Sequence, residues 1–250
     1  MLRCVSATRY VAALREGGSL PGLVEADDEG LYVVKFRGAG QGAKSLVAEI
    51  VGGELARGLG LLVPELVLAD IDPALVAAEP DPEIQELVRN SAGLNAALDF
   101  LPGALAYNPA GSFPVAPELA ALVICFDEWV ANVDRTIRNP NLLIWHGRLW
   151  LIDHGAALYH QHGDFDAVAD GDRPLPNLAQ HVLMPVVEGF RPAALARIEA
   201  ASENGAIEAA VERVPGQWLG DDAERVRERY VTYLRRRAQS LLTRSESGPS

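Results

Sequence analysis

Asn132-Val133-Asp134-Arg135-Thr136-Ile137-Arg138-Asn139-Pro140-Asn141 sets a dense run of carboxylate, amide and guanidinium side chains between two apolar segments. Before it, residues 117–131 place Leu119, Leu122, Val123, Phe126 and Val130 on one face, the signature of a helix. After it, Leu142-Leu143-Ile144-Trp145 and Leu149-Trp150-Leu151-Ile152 are short apolar runs split by His146-Gly147-Arg148, which predicts a hairpin. A polar run bracketed in this way belongs to an ordered loop. An Asp followed five residues later by an Asn suits phosphoryl transfer, in which the carboxylate orients the acceptor hydroxyl and the amide oxygen holds a metal ion. The same run would also make an Asx-rich turn with a capping role.

The hairpin runs into Ile152-Asp153-His154-Gly155. A carboxylate at a strand end, followed by a backbone-freeing Gly, suits a hard divalent cation such as Mg²⁺, although Asp-x-Gly is also a common strand-to-turn sequence. Upstream, Leu31-Tyr32-Val33-Val34-Lys35-Phe36 buries a Lys within a strand. Such a Lys either snorkels to water or faces a cleft where it can bind phosphate. Glu49, in the apolar stretch Leu46-Val47-Ala48-Glu49-Ile50 of a helix expected over 44–58, is its natural counter-ion. Gly17-Gly18-Ser19 lies between two predicted strands and could cover phosphates or simply turn a hairpin. Gly38-Ala39-Gly40-Gln41-Gly42-Ala43-Lys44-Ser45 is not a Walker A loop, because Ala43 stands where Gly must precede the Lys. His154, His160 and His162 near Asp153 raise a separate possibility, a metal-dependent hydrolase.

The 250 residues carry a net charge of −12, which offers no footprint for a nucleic-acid backbone. The basic triplet Arg235-Arg236-Arg237 reads as a solvated helix face. Cys4 and Cys125 sit in no CxxC pattern, so neither a disulfide framework nor a zinc ribbon is expected, and a reducing cytoplasm is the natural setting. No apolar run approaches the roughly 20 residues of a membrane span, and no signal peptide is evident, so the expectation is a soluble chain with no membrane partner. Strands dominate the first third, as an antiparallel meander with one helix, and helices the remainder. This composition shift predicts an α+β chain of two lobes.

The order of these parts is that of a protein-kinase-like fold: Gly loop, strand Lys, helix Glu, Asp/Asn loop, hairpin, Asp-x-Gly. In detail the chain resembles the HipA-like kinases, relatives of the phosphatidylinositol kinases. Glu49, Ala56, Gly60 and Pro64 match the spacing of that family's helix-to-strand segment, and Asp134 to Asn139 looks like its Asp-x-His-x-x-Asn catalytic loop. The resemblance covers residues 8–160; nothing in it corresponds to the family's N-terminal accessory region, so no toxin role is implied. It implies a bilobal fold, with a small β-rich N-terminal lobe over 1–101 and a larger helical lobe over 102–244; residues 245–250 lack apolar side chains and are expected to be a disordered tail. It implies ATP and Mg²⁺ as cofactors. Gly17, Gly18 and Ser19 would cover the nucleotide, and Lys35 would hold its phosphates, oriented by Glu49. The adenine would sit near residues 98–101, at Asp99 and Leu101. Asp134 and Asn139 would be catalytic, and Asp153 with Asn139 would hold the metal, with Asn141 the alternative amide. The acceptor would be a protein Ser/Thr or a small molecule. Thr136 stands where the family has His, which keeps a catalytically impaired pseudokinase or nucleotide-binding module as the rival reading.

Overall fold

The computed structural model describes residues 1–14, 20–40, 42–77, 79–184 and 188–246. Strand β1 (Cys4–Ala13) runs antiparallel to β2 (Gly22–Ala26), and β2 to β3 (Leu31–Lys35), as the meander predicts. The sheet then closes. β3 pairs with β5 (Gly93–Asp99), β5 with β4 (Leu66–Ile71), and β4 runs parallel to the start of β1, giving a barrel in the order β1-β2-β3-β5-β4. Irregular register between Ala7 and Arg9, and again between Tyr10 and Ala12, lets β1 serve both neighbours, since bulges bend and twist a strand.

Side-chain alternation does the sorting. Tyr32 and Val34 of β3 point into the barrel, where they meet Val5, Val24, Val67 and Ala97 in one apolar cluster. Val33 and Lys35, on the opposite face of the same strand, are thereby turned toward the outside of the barrel. Helix α1 (Ala43–Gly58) covers part of that outer face, burying Leu46, Ile50 and Leu55 with Leu66 and Leu98. Gly53 admits this approach, because a Cβ there would lie 2.6 Å from Leu66 Cδ1. Helix α2 (Pro82–Arg89) begins under an Asp81 cap that accepts from the Glu83 N–H.

Beyond β5 the chain forms a short strand, β6 (Leu105–Ala106), and helix α3 (Pro117–Val130). The hairpin of β7 (Leu142–Trp145) and β8 (Arg148–Leu151) follows. Its two-residue turn holds His146 and Gly147 both at positive φ, the conformation that matches strand twist. Helices α4 (Arg191–Glu203), α5 (Ala206–Glu212) and α6 (Ala223–Glu246) complete the chain. Among the described residues no helix is long and apolar enough to cross a membrane.

Three expectations need correction. Arg237 is not on a solvated face. It is buried, and its guanidinium donates to Trp129 O at 2.7 Å and to Glu128 O, main-chain carbonyls of the last turn of α3. Ser245 and Glu246, expected in the disordered tail, belong to α6, and the rest of that expected tail, 247–250, lies outside the described residues. The histidines do not gather into a metal centre. His160 Nδ1 meets the Tyr233 hydroxyl at 2.9 Å, His154 is buried beside Glu49, and among the described residues no group of three or more His, Cys, Asp or Glu could hold an ion.

Candidate active site

The β7–β8 hairpin decides where the two carboxylates meet. Its pairing of Leu142 with Leu151 sets Asn141 beside Ile152, and the Ile152 N–H donates to Asn141 O at 3.1 Å. Both chain ends then turn through the left-handed region, Asn141 at φ 49° and Asp153 at φ 55°. Asn and Asp tolerate that region better than other side chains with a Cβ, because their short polar groups bond locally.

Asp134 sits at the centre of the preceding loop. Its Oδ2 accepts from Asn139 Nδ2 at 2.7 Å and from Asn141 Nδ2 at 3.2 Å. With both amide nitrogens committed to Asp134, the amide oxygens are the atoms left to face the cavity. Burial raises the pKa of the Asp134 carboxyl above the usual carboxylate value, and the charge of Asp153 adds to the rise against the two Asn bonds. Thr136 closes the loop on itself: its N–H donates to Asp134 O at 2.9 Å, and its hydroxyl accepts from the Asn139 N–H at 3.3 Å.

Lys35 reaches this group from the barrel. Its Nζ lies 2.9 Å from Asp153 Oδ1. Burial alone would lower its pKa, but Glu49, Asp153 and Asp134 outweigh that and raise it, so the ammonium is charged. The short contact of Lys35 is thus with Asp153, while Glu49 supplies the larger favourable charge from further away. Glu49 is fully buried, and neither of its carboxylate oxygens has a hydrogen-bond partner. Burial works against its charge, yet Lys35 and His154 hold its pKa well below the carboxylate range.

Lys35, Asn139, Asn141 and Asp153 share the wall of one cavity of about 660 Å³, within the usual range for cofactor sites. Asp134 joins them through the two amides bonded to it. Asp99 and Leu101 line the same cavity at the end of β5. The Asp99 N–H is committed to Glu65 O and that of Phe100 to Leu31 O, so Leu101 carries the first backbone N–H past the sheet. Gly17, Gly18 and Ser19 lie outside the described residues. The segments flanking them do border the cavity, with Ala13, Leu14 and Pro21 on its wall and the Leu14 N–H bonded to Pro21 O at 2.8 Å.

Sequence reasoning missed the support beneath the loop. Arg135 is buried and donates through Nε to Asp127 Oδ2 at 2.7 Å and through Nη1 to the carbonyls of Asn141 and Ile152. Asp127 also accepts from Asn132 Nδ2 and meets His181 Nε2, each at 2.9 Å. The Leu183 N–H points at His181 Nδ1, so Nε2 is the nitrogen that carries the proton given to Asp127. Main-chain bonds from Val182 to Arg135 and from Ile137 to Gln180 fasten the segment around His181 to the loop. Arg138 and Tyr107 also line the cavity without having been singled out.

The donor set is one of hard oxygens, the Asp153 carboxylate and the amide oxygens of Asn139 and Asn141, and it fits a divalent ion of the Mg²⁺ type rather than a soft metal. No curated protein matches the sequence. Among solved structures the chain is similar to the Helicobacter pylori proinflammatory kinase CtkA, with 14% identity, a TM-score of 0.63 and 97% of each chain covered. It is also similar to the Golgi casein kinase in a structure with Mn/ADP bound, with 12% identity, a TM-score of 0.54, and 98% of this chain and 73% of that one covered. These likenesses show a kinase-like fold. The model of the HipA-like kinases matches residues 8–248, and the chain belongs to that family of phosphotransferases.

Proposed function

We propose that this chain is a two-lobed Mg·ATP-dependent kinase that transfers the γ-phosphate to a hydroxyl, with a protein Ser or Thr as acceptor. The barrel and α1, through residue 101, form the smaller lobe, the helical part from residue 102 forms the larger, and the nucleotide lies in the cavity between them. The observation that carries this reading is the convergence of Lys35, Asn139, Asn141 and Asp153 on one nucleotide-sized cavity, with Asp134 behind the two amides.

In this reading Lys35 binds the α- and β-phosphates once it leaves Asp153, and Glu49 receives and orients its ammonium. Asp99 and Leu101 border the adenine. Asp153, with the amide oxygen of Asn139 or Asn141, would hold the metal, which would supply positive charge to the phosphates. Asp134 orients the acceptor hydroxyl and takes its proton as the oxygen attacks the γ-phosphorus and the bond to the ADP oxygen breaks. The elevated pKa of Asp134, raised chiefly by burial, makes it a better proton acceptor than an exposed Asp.

The test is phosphate transfer from γ-labelled ATP to a broad pool of Ser/Thr peptides, wild type against Asp134→Asn and Asp153→Asn. Transfer by the wild type and a loss of about 100-fold or more in each variant is the expected result. Nucleotide binding without transfer to any acceptor would instead favour the nucleotide-binding module that Thr136 keeps as the rival.

A further inference from the structure

His154 is a costly residue in its place. It is fully buried, and neither ring nitrogen has a hydrogen-bond partner. Its neighbours are apolar: Phe126 packs edge-on at 5.9 Å between ring centroids, and Gly52 and Ala157 lie alongside. A phenyl ring would fill such a site without the penalty of desolvating an imidazole.

The exception to this apolar shell is Glu49. His154 Nδ1 lies 3.6 Å from Glu49 Oε1. Two buried side chains, neither in a hydrogen bond of normal geometry, thus face each other roughly half an ångström beyond hydrogen-bond range, with the His154 main-chain N–H also acting on Glu49. Lys35 gives Glu49 a favourable charge but no hydrogen bond in this arrangement, because its ammonium sits on Asp153. The contact between α1 and residues 153–155 is also tight. A Cβ at Gly52 would lie 2.9 Å from His154 Cβ, whereas one at Gly155 would make only ordinary contacts, 3.5 Å from Asp153 Oδ1 and 3.6 Å from Glu49 Oε2.

We infer that His154 is a positioning residue whose Nδ1–H holds the Glu49 carboxylate in place while Lys35 is engaged by Asp153, keeping Glu49 ready to receive Lys35 when nucleotide phosphates draw it away. This rests on the roles given above to Lys35 and Glu49. A neutral imidazole suffices, since only the donor is needed.

The test is a double-mutant cycle of His154→Phe and Glu49→Gln on the full chain, read by ADP affinity in EDTA and by thermal midpoint without nucleotide. His154→Phe keeps the packing and removes the donor. It is expected to fold with a cooperative transition and to bind ADP roughly tenfold more weakly, the size of a direct pairwise coupling. His154→Asn, which offers an amide N–H near the Nδ1 position, is expected to recover part of that loss. The double variant is expected to bind no worse than Glu49→Gln alone. Wild-type affinity in His154→Phe, or additive effects of the two changes, would overturn the assignment. Should the wild type bind no ADP at all, the proposed function fails, and the thermal midpoints still decide: non-additive shifts support the His154–Glu49 coupling and additive shifts refute it.

Discussion

Arg135 Nε donates to Asp127 Oδ2 across 2.7 Å, with neither side chain exposed to solvent, directly beneath the loop that carries Asp134. A buried pair of this kind is not a dependable source of net stability, but removing one partner leaves the other charge uncompensated, at about 3–5 kcal/mol. Asp127→Ala is therefore expected to lower the thermal midpoint by roughly 10 °C, at 2–4 °C per kcal/mol for a chain of this size. Differential scanning calorimetry checks it; a shift under 2 °C would mean that the network carries no structural role.

The same carboxylate sets an acid limit. Burial works against the charge of Asp127, yet Arg135 and His181 outweigh it and hold its pKa below the ordinary value. A group depressed in the folded state stabilises fully above its unfolded pKa, near 3.9, and that contribution disappears as pH falls through the folded value. The midpoint of the wild type should thus be flat in this respect above about pH 5 and should drop below pH 4. Asp127→Asn should show a shallower acid limb in the same titration.

Asp134 behaves in the opposite sense. Its pKa is raised, so its charged form costs the folded state, fully above the folded pKa and not at all below the unfolded one. Asp134→Asn removes that cost and keeps a carbonyl oxygen to accept from Asn139 and Asn141. The variant should melt higher than wild type at pH 7–8 without ligand, while phosphate transfer falls by about 10²–10⁴-fold. A variant that loses both stability and activity would show that the carboxylate acts chiefly as a structural anchor.

Lys35 and a divalent metal compete for one carboxylate in this arrangement, because Asp153 Oδ1 already carries the ammonium at 2.9 Å. Lys35→Met leaves Asp153 without its cation and removes the main favourable charge on buried Glu49. The nucleotide-free variant is expected to be less stable by about 3 kcal/mol, and Mg²⁺ is expected to raise its midpoint at lower concentration than it does for wild type. Equal Mg²⁺ dependence in the two proteins would exclude competition at Asp153.

Local spacing made much of this site legible. Asp134, Asn139 and Asp153 stand on one loop and one hairpin, so their proximity follows from chain connectivity. Lys35 follows from strand alternation, since Val34 must enter the barrel. What was not legible depends on distant chain. The parallel closure of β1 on β4 joins Cys4 to Leu68 and has no local signal. Asp127 looks like a polar interruption in an apolar helix until His181, 54 residues later, and Arg135 reach it. Glu49 is the counter-ion expected for Lys35, but the short contact to Asp153 was not legible, because only the placement of the two carboxylates decides it. Arg237 could have been found: it continues the buried stripe Tyr230, Tyr233, Leu234, Ala238 and Leu241 at helical spacing, and charge alone argued for the surface.

Gly52 tests how tightly α1 must sit on the segment that carries Asp153. An added Cβ would stand 2.9 Å from His154 Cβ and 3.4 Å from His154 Cγ, at the root of the side chain and backed by Phe126, so the ring cannot swing clear. Two effects oppose each other in Gly52→Ala. Helix propensity favours Ala by about 1 kcal/mol, whereas overpacking a filled core costs about 1–3 kcal/mol. Because the clash is at a Cβ rather than at a flexible end, the steric term is expected to win, with a net loss of roughly 1 kcal/mol and a larger effect on function. Pushing α1 outward moves Glu49 away from Lys35, so nucleotide affinity should fall several-fold while the fold persists. Gly58→Ala is the control, since a Cβ there meets nothing within 4 Å on the same helix. It should leave affinity unchanged, and a Gly52→Ala variant that behaved like it would show that the contact between α1 and His154 has slack.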